Sequence, residues 1–194
     1  METRVRRLLP GLFAVAAIAV VHAAVDVKTN YDRKTDFKAM RSYAWLETPP
    51  YRTEIAPDVR DPWLTKESLD APIRAAVDRA LTAKKFTPGG ESAADFFVVY
   101  YAAFGAGMNE SVIGEHYAYV TGWGTPLLGA TPTQSLKVYE QGTLIVDVLQ
   151  RDRKAAIWRV TATGALDRRK STDERMKNLE SAVKKMFAKF PPKP

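Results

Sequence analysis

The chain of 194 residues contains no cysteine. That absence removes thiolate catalysis, disulfides, cysteine-ligated zinc, iron–sulfur clusters and lipid attachment through a cysteine. Histidine is scarce as well. Only His22 and His116 occur, and His22 falls in an N-terminal segment of separate character. A histidine base or a multi-histidine metal site would have to be built on His116 alone, so no metal site and no cofactor is expected. The Gly-x-Ser-x-Gly nucleophile elbow, the P-loop and the dinucleotide fingerprint are all missing, Gly122-Trp123-Gly124 being too short for either of the last two. An excess of acid is lacking too: the formal charge is +7. Three basic residues and one acidic residue precede position 24, and beyond them 26 basic residues face 21 acidic ones. This mild excess is spread along the chain without aromatics between clustered charges, which argues against a nucleic-acid partner.

Long hydrophobic runs are limited to one. Met1 to Arg7 is short and basic, Leu8 to Val21 is apolar, and small residues follow at Ala23 and Ala24. This is the three-part pattern of a secretory signal. The run of 14 residues falls short of the about 20 that span a bilayer. Cleavage after Ala23 places Val21 and Ala23 at the two positions where the peptidase wants small residues. The expectation is a signal peptide over residues 1–23, an exported domain over 24–194, and no transmembrane span once the signal is removed. Retention of the segment as an anchor is the alternative.

What remains has the composition of a globular domain, with 46% apolar and 26% charged residues over the whole chain. Val25 to Asn30 alternates apolar and polar, as a half-buried strand does. Ser42 to Leu46 predicts a second short strand, and the proline-rich stretch Thr48 to Pro62 a surface loop. A helix is expected to start at Ser68 or Asp70, with Pro72 in its first turn. Leu69, Ile73, Val77 and Leu81 form its apolar stripe, and Pro88-Gly89-Gly90 ends it. Asp95 to Phe104 is nearly continuous apolar sequence and predicts a central strand. Gly105 to Gln141 is rich in glycine and aromatics and predicts irregular structure, with a short strand near Ser135 to Tyr139. Thr143 to Leu149 and Ala155 to Thr163 flank a polar turn, as a β-hairpin does. A last helix is capped by Ser171 and Glu174 and carries Met176, Leu179, Val183, either Met186 or Phe187, and Phe190 on one face. The expected fold is α+β: an antiparallel sheet of about five strands with two helices on one face.

The stretch Thr29 to Leu46 (TNYDRKTDFKAMRSYAWL) resembles the opening signature of a bacterial family, domain of unknown function 4136. The similarity continues in order through Asp95-Phe96-Phe97-Val98-Val99, the glycine-rich middle, Gly142, Leu144, Val146 and Asp147, then Ile157-Trp158-Arg159 and the closing Phe190-Pro191-Pro192. The resemblance implies an exported, often lipid-anchored envelope protein with no assigned reaction. This chain departs from the lipoprotein members in having no cysteine, which implies a periplasmic form or one held by protein contacts.

Candidate chemistry is sparse. Glu115 and His116 form the single carboxylate–histidine pair, an acid–base couple in the functional reading and an exposed loop pair in the plain one. Asp147 is a candidate catalytic carboxylate, or the partner of Arg159 in a cross-strand ion pair. Asp26, Asp32 and Asp36 lack the glycine and closing glutamate of a calcium loop. Tyr117, Tyr119 and Trp123 sit among glycines and make either a recognition patch or a lid over the sheet. Trp45 and Trp158 belong to strands and to the core. The leading functional expectation is a non-catalytic module that binds an envelope protein, the cell wall or a lipid component. A hydrolase or metal-dependent enzyme using Glu115, His116 and Asp147 is the first alternative. A carrier holding a small apolar ligand between helices and sheet is the second, and it needs a cavity of about 300 Å³ or more.

Overall fold

The computed structural model describes residues 25–46, 52–55, 61, 63–105, 141–152, 156–165 and 169–193. The alternating segment at Val25 to Asn30 becomes strand β1 (Asp26–Tyr31), and the aromatic segment β2 (Ser42–Trp45). Strand β3 (Arg52–Ile55) follows, then helix α1 (Lys66–Thr82), the two-residue strand β4 (Thr87–Pro88) and the central β5 (Phe96–Phe104). The hairpin segments form β6 (Gln141–Gln150) and β7 (Ala156–Ala165), and helix α2 (Thr172–Met186) closes the domain.

Two expectations about the sheet are corrected. Among the described residues it has six strands of four residues or more plus the short β4, in the order β1-β7-β6-β5-β2-β4, with β3 also on β5. It is also mixed. β1, β7, β6 and β5 run antiparallel in sequence, whereas β2 and β3 are parallel to β5. The reason is the connection: the chain leaves β3, passes through α1 and returns in β5 alongside, and such a crossover makes the flanking strands parallel. β3 lies inside the stretch expected to be a loop. It pairs with Tyr101 to Phe104 while β2 pairs with Phe96 to Val98, so the two short strands follow one another along the same side of β5.

Helix α1 starts earlier than its apolar stripe suggests. Thr65 is the cap, its hydroxyl accepting the Ser68 N–H at 3.1 Å. Pro72 therefore sits inside the helix and leaves the Ser68 carbonyl without its usual donor. The helix ends at Thr82, ahead of the proline–glycine signal, and Lys85 takes a left-handed φ of 70° where the chain turns back. Helix α2 carries the expected capping box, Ser171 and Glu174 each satisfying the other's N–H.

Both helical stripes bury into one cluster on the same side of the sheet. Leu69, Ile73, Val77 and Leu81 meet Val183 and Met186 over Phe96, Val98, Tyr100, Val146, Val148 and Val160. At one end of this layer the rings of Phe86, Phe96, Trp158, Phe187 and Phe190 interlock, with Trp158 and Phe190 centroids 4.7 Å apart. Trp158 is core as expected, whereas Trp45 is half-buried. The opposite face of the sheet has its own cluster, built on Phe97, Val99, Tyr101, Ile145 and Leu149, and contains no residue of either helix. β5 is thus buried on both faces, which is why its sequence reads as an unbroken apolar run.

Candidate functional site

The helix-facing positions of the central strands change in size along their length. At the aromatic end they are Phe96, Val98, Val148 and Trp158. At the other end they are Ala102, Gly142, Leu144, Ala162 and Gly164, and α2 adds Ala182 above them. Two helices held at a distance set by the large residues cannot close down on the small ones. A cleft of about 160 Å³ results between α1, α2 and that end of the sheet. Its walls are mostly aliphatic, from Leu69, Ile73, Leu144 and Leu179 among others.

Its rim is polar and organised. The Asp61 carboxylate accepts the Trp63 N–H at 3.1 Å, shaping the turn before α1, and its other oxygen meets Arg175 of α2 at 2.6 Å. Arg175 also donates to the Lys170 carbonyl at 3.0 Å, and its guanidinium lies 5.4 Å from the Trp63 ring centre. The Asp61 and Arg175 side chains are 8% and 15% exposed, so this pair is held nearly out of water and fixes one lip of the cleft. Lys170 and Asn178 complete the polar side of the opening.

Such a space suits one small apolar group. A cavity of about 150 Å³ with aliphatic walls accepts a benzene-sized guest, while whole drug-sized ligands occupy about 300 Å³ or more. The carrier expectation is therefore reduced in scale: the space lies between helices and sheet, at about half the volume that reading required.

The sequence-derived candidates fall elsewhere. Glu115, His116, Tyr117, Tyr119 and Trp123 lie outside the described residues, as does the segment near Ser135 to Tyr139. Asp147 lies on the face of the sheet opposite α1 and α2, fully buried, with both carboxylate oxygens engaged by Arg159 at 2.7 and 2.8 Å. The two residues are directly opposite one another on β6 and β7, so the cross-strand ion pair forms. The expectation that no Ser-x-x-Lys pair occurs is corrected: Ser181 and Lys184 have that spacing on α2, with both residues exposed and outside the cleft wall. Among the described residues no group of three or more histidine, aspartate or glutamate side chains is placed to hold a metal ion. No described helix is long and apolar enough to cross a membrane.

The cleft residues were missed because each is unremarkable alone. The available signal was the recurrence of alanine and glycine at Ala102, Gly142, Ala162 and Gly164, helix-facing positions of three strands that otherwise carry bulky residues.

By its architecture this is an α+β domain: among the described residues, a mixed sheet with two helices on one face and a small apolar cleft under one end of them. The chain matches the family described as domain of unknown function DUF4136 over residues 27–192, and it belongs to that family. A crystal structure of a DUF4136 family protein from Bacteroides thetaiotaomicron is similar at 17% identity and a TM-score of 0.52, covering 86% of this chain and 96% of that one. A PDZ domain protein from Parabacteroides distasonis is similar at 13% identity and a TM-score of 0.52, covering 88% of this chain but 36% of that one. At these identities the likeness shows the fold alone. No curated protein matches the chain.

Proposed function

We propose that this chain is exported to the cell envelope and acts there as a non-catalytic binding domain. Its cleft takes a small apolar group, a ring or a short branched chain, presented by an envelope protein, the cell wall or a lipid. The cleft itself carries the reading: about 160 Å³ of aliphatic space under a rim held by the Asp61–Arg175 pair. Apolar pockets with a few fixed polar groups at the mouth are the usual form of a recognition site. The three-part N-terminal sequence supports the address. The burial of Asp147 and the bidentate hold of Arg159 on it disfavour the enzymatic reading, because a fully buried carboxylate committed to a structural ion pair offers no surface to a substrate.

Photo-crosslinking in cells expressing the full chain tests this. A photoreactive amino acid replaces Asn178, an exposed residue on the rim. The expected result is one crosslinked envelope component, joined to a chain that begins at Ala24. That crosslink is lost when Ala162→Leu fills the cleft. A crosslink indifferent to Ala162→Leu, or adducts found only on an uncleaved cytosolic chain, contradicts the proposal.

A further inference from the structure

Helices α1 and α2 lie side by side and point the same way, and three contacts mark three levels along them. At the first, ahead of α1, Asp61 meets Arg175 at 2.6 Å. At the second, Arg79 meets Glu180 at 2.7 Å. At the third, just past the ends of both helices, the Phe86 and Phe190 ring centres are 5.4 Å apart. The first two levels pair opposite charges, whereas the third gathers like ones. Lys84 and Lys85 follow α1, while Lys184, Lys185 and Lys189 sit on the last turn of α2 and on the 3-10 turn Phe187–Lys189 that extends it. Lys38 joins them from the short turn Phe37–Ala39, because Phe37 packs edge-on against Phe190 at 6.0 Å. These lysines are scattered in the sequence and converge only in the fold. All but Lys84 are exposed. Among the described residues, none of the six makes a side-chain hydrogen bond or an ion pair. Asp32 and Asp36 stand on the neighbouring turn, where Arg33 and Lys34 balance them, and each accepts a local N–H, from Lys34 at 2.9 Å and from Lys38 at 3.0 Å.

We propose that this lysine-bearing end of the domain docks on an anionic lipid bilayer, with the ammonium groups among the phosphate headgroups. Like charges gathered without counter-charges repel one another and cost the fold stability. The negative ends of the helix dipoles offset this for the lysines nearest each helix end, but not for Lys38 or Lys189. A plane of phosphates neutralises all six at once. Lysines are point charges on flexible stems and suit headgroups of no fixed geometry. A nucleic acid fits less well, because Phe37, Phe86, Phe187 and Phe190 at this end are all buried and offer no face on which a base can stack. The cleft opens toward the other end of the same helices, roughly 20 Å away along their axes. A docked domain therefore turns its cleft away from the bilayer. The docking itself does not depend on the cleft being a binding site.

Vesicle co-sedimentation of the protein purified from cells expressing the full chain tests the docking. Binding is expected to phosphatidylglycerol vesicles and not to phosphatidylcholine vesicles, and added salt weakens it. Each of Lys85→Gln, Lys185→Gln and Lys189→Gln weakens it about fivefold, and the three together about a hundredfold. Lys177→Gln removes the same charge from the first half of α2 and leaves binding near the wild-type value. All four positions are exposed, so circular dichroism is expected to be unchanged in every variant. Equal binding to both kinds of vesicle, or none to phosphatidylglycerol, overturns the proposal. A loss in Lys177→Gln as large as that in Lys185→Gln overturns it equally, since net charge rather than this end of the domain is then responsible. Binding to soluble polyphosphate with none to the vesicles overturns the choice of partner.

Discussion

Asp147 and Arg159 show how much a single pair commits. Both lie on the face of the sheet opposite α1 and α2, the aspartate fully buried and the arginine 8% exposed. Two charges taken out of water need near-ideal geometry to recover the cost of leaving it. The parallel fork of two hydrogen bonds supplies that geometry. Asp147→Ala strands the guanidinium and is expected to destabilise the domain by about 3–5 kcal/mol in urea unfolding. Replacing the pair together, Asp147→Leu with Arg159→Met, recovers most of the loss. A single variant as stable as the wild type contradicts this account. The pairing was legible in the sequence, since a hairpin brings these two positions within reach. Its burial was not, because that depends on what covers the sheet. A second carboxylate works through its neighbours: Asp78 of α1 accepts from the Tyr43 hydroxyl at 2.8 Å and from the Trp45 indole at 2.9 Å. Burial, and then the Asp78 carboxylate, push the Tyr43 hydroxyl well above its ordinary value.

At the scale of elements, Asp95 explains why an aspartate stands before the central strand. One of its oxygens accepts the N–H groups of Arg41 and Ser42 at 2.8 and 2.9 Å and the Ser42 hydroxyl at 3.0 Å. In return the Asp95 N–H donates to the Ser42 carbonyl at 3.1 Å. The start of β2 is thereby pinned to the start of β5, and the parallel register follows. The backbone N–H of Arg41, then that of Ser42, hold the Asp95 carboxyl below the usual carboxylate range, and Arg151 adds attraction. A depressed value in the folded state contributes stability that is fully present above the unfolded value of about 3.9 and is lost as pH falls through the folded one. Asp95→Asn is accordingly expected to lower stability by about 1 kcal/mol near neutral pH. The gap to the wild type narrows as unfolding is followed into acid. A gap that widens on acidification contradicts the assignment. Among the elements, the capping box of α2 and the apolar run of β5 were readable because their determinants are local. The start of α1 was displaced because Thr65 caps a turn that precedes the stripe. β3 was hidden because its four residues earn strand geometry from β5 rather than from their own pattern.

At the scale of the whole molecule, the helix-on-sheet layering was legible, since two amphipathic stripes and a set of alternating strands admit few arrangements. The parallel pairing was not, because it depends on where the crossover through α1 returns. The cleft is a further step removed. It arises from the contrast between an aromatic end, where Trp158 and Phe190 set the helix height, and a small-residue end that leaves space beneath the same helices. Of the residues singled out from sequence alone, Tyr117, Tyr119 and Trp123 lie outside the described residues. The rim residues Asp61, Trp63 and Arg175 come from segments more than a hundred positions apart in sequence. Only folding brings them together.

The measurement that bears most directly on the central claim is methyl NMR of the protein titrated with toluene and with short branched aliphatic alcohols. The account predicts saturable shifts and intermolecular contacts at the methyl groups of Leu69, Ile73, Leu144 and Leu179, absent in Ala162→Leu. Shifts scattered over the surface, or binding undiminished by Ala162→Leu, would contradict the claim that the cleft is a binding site.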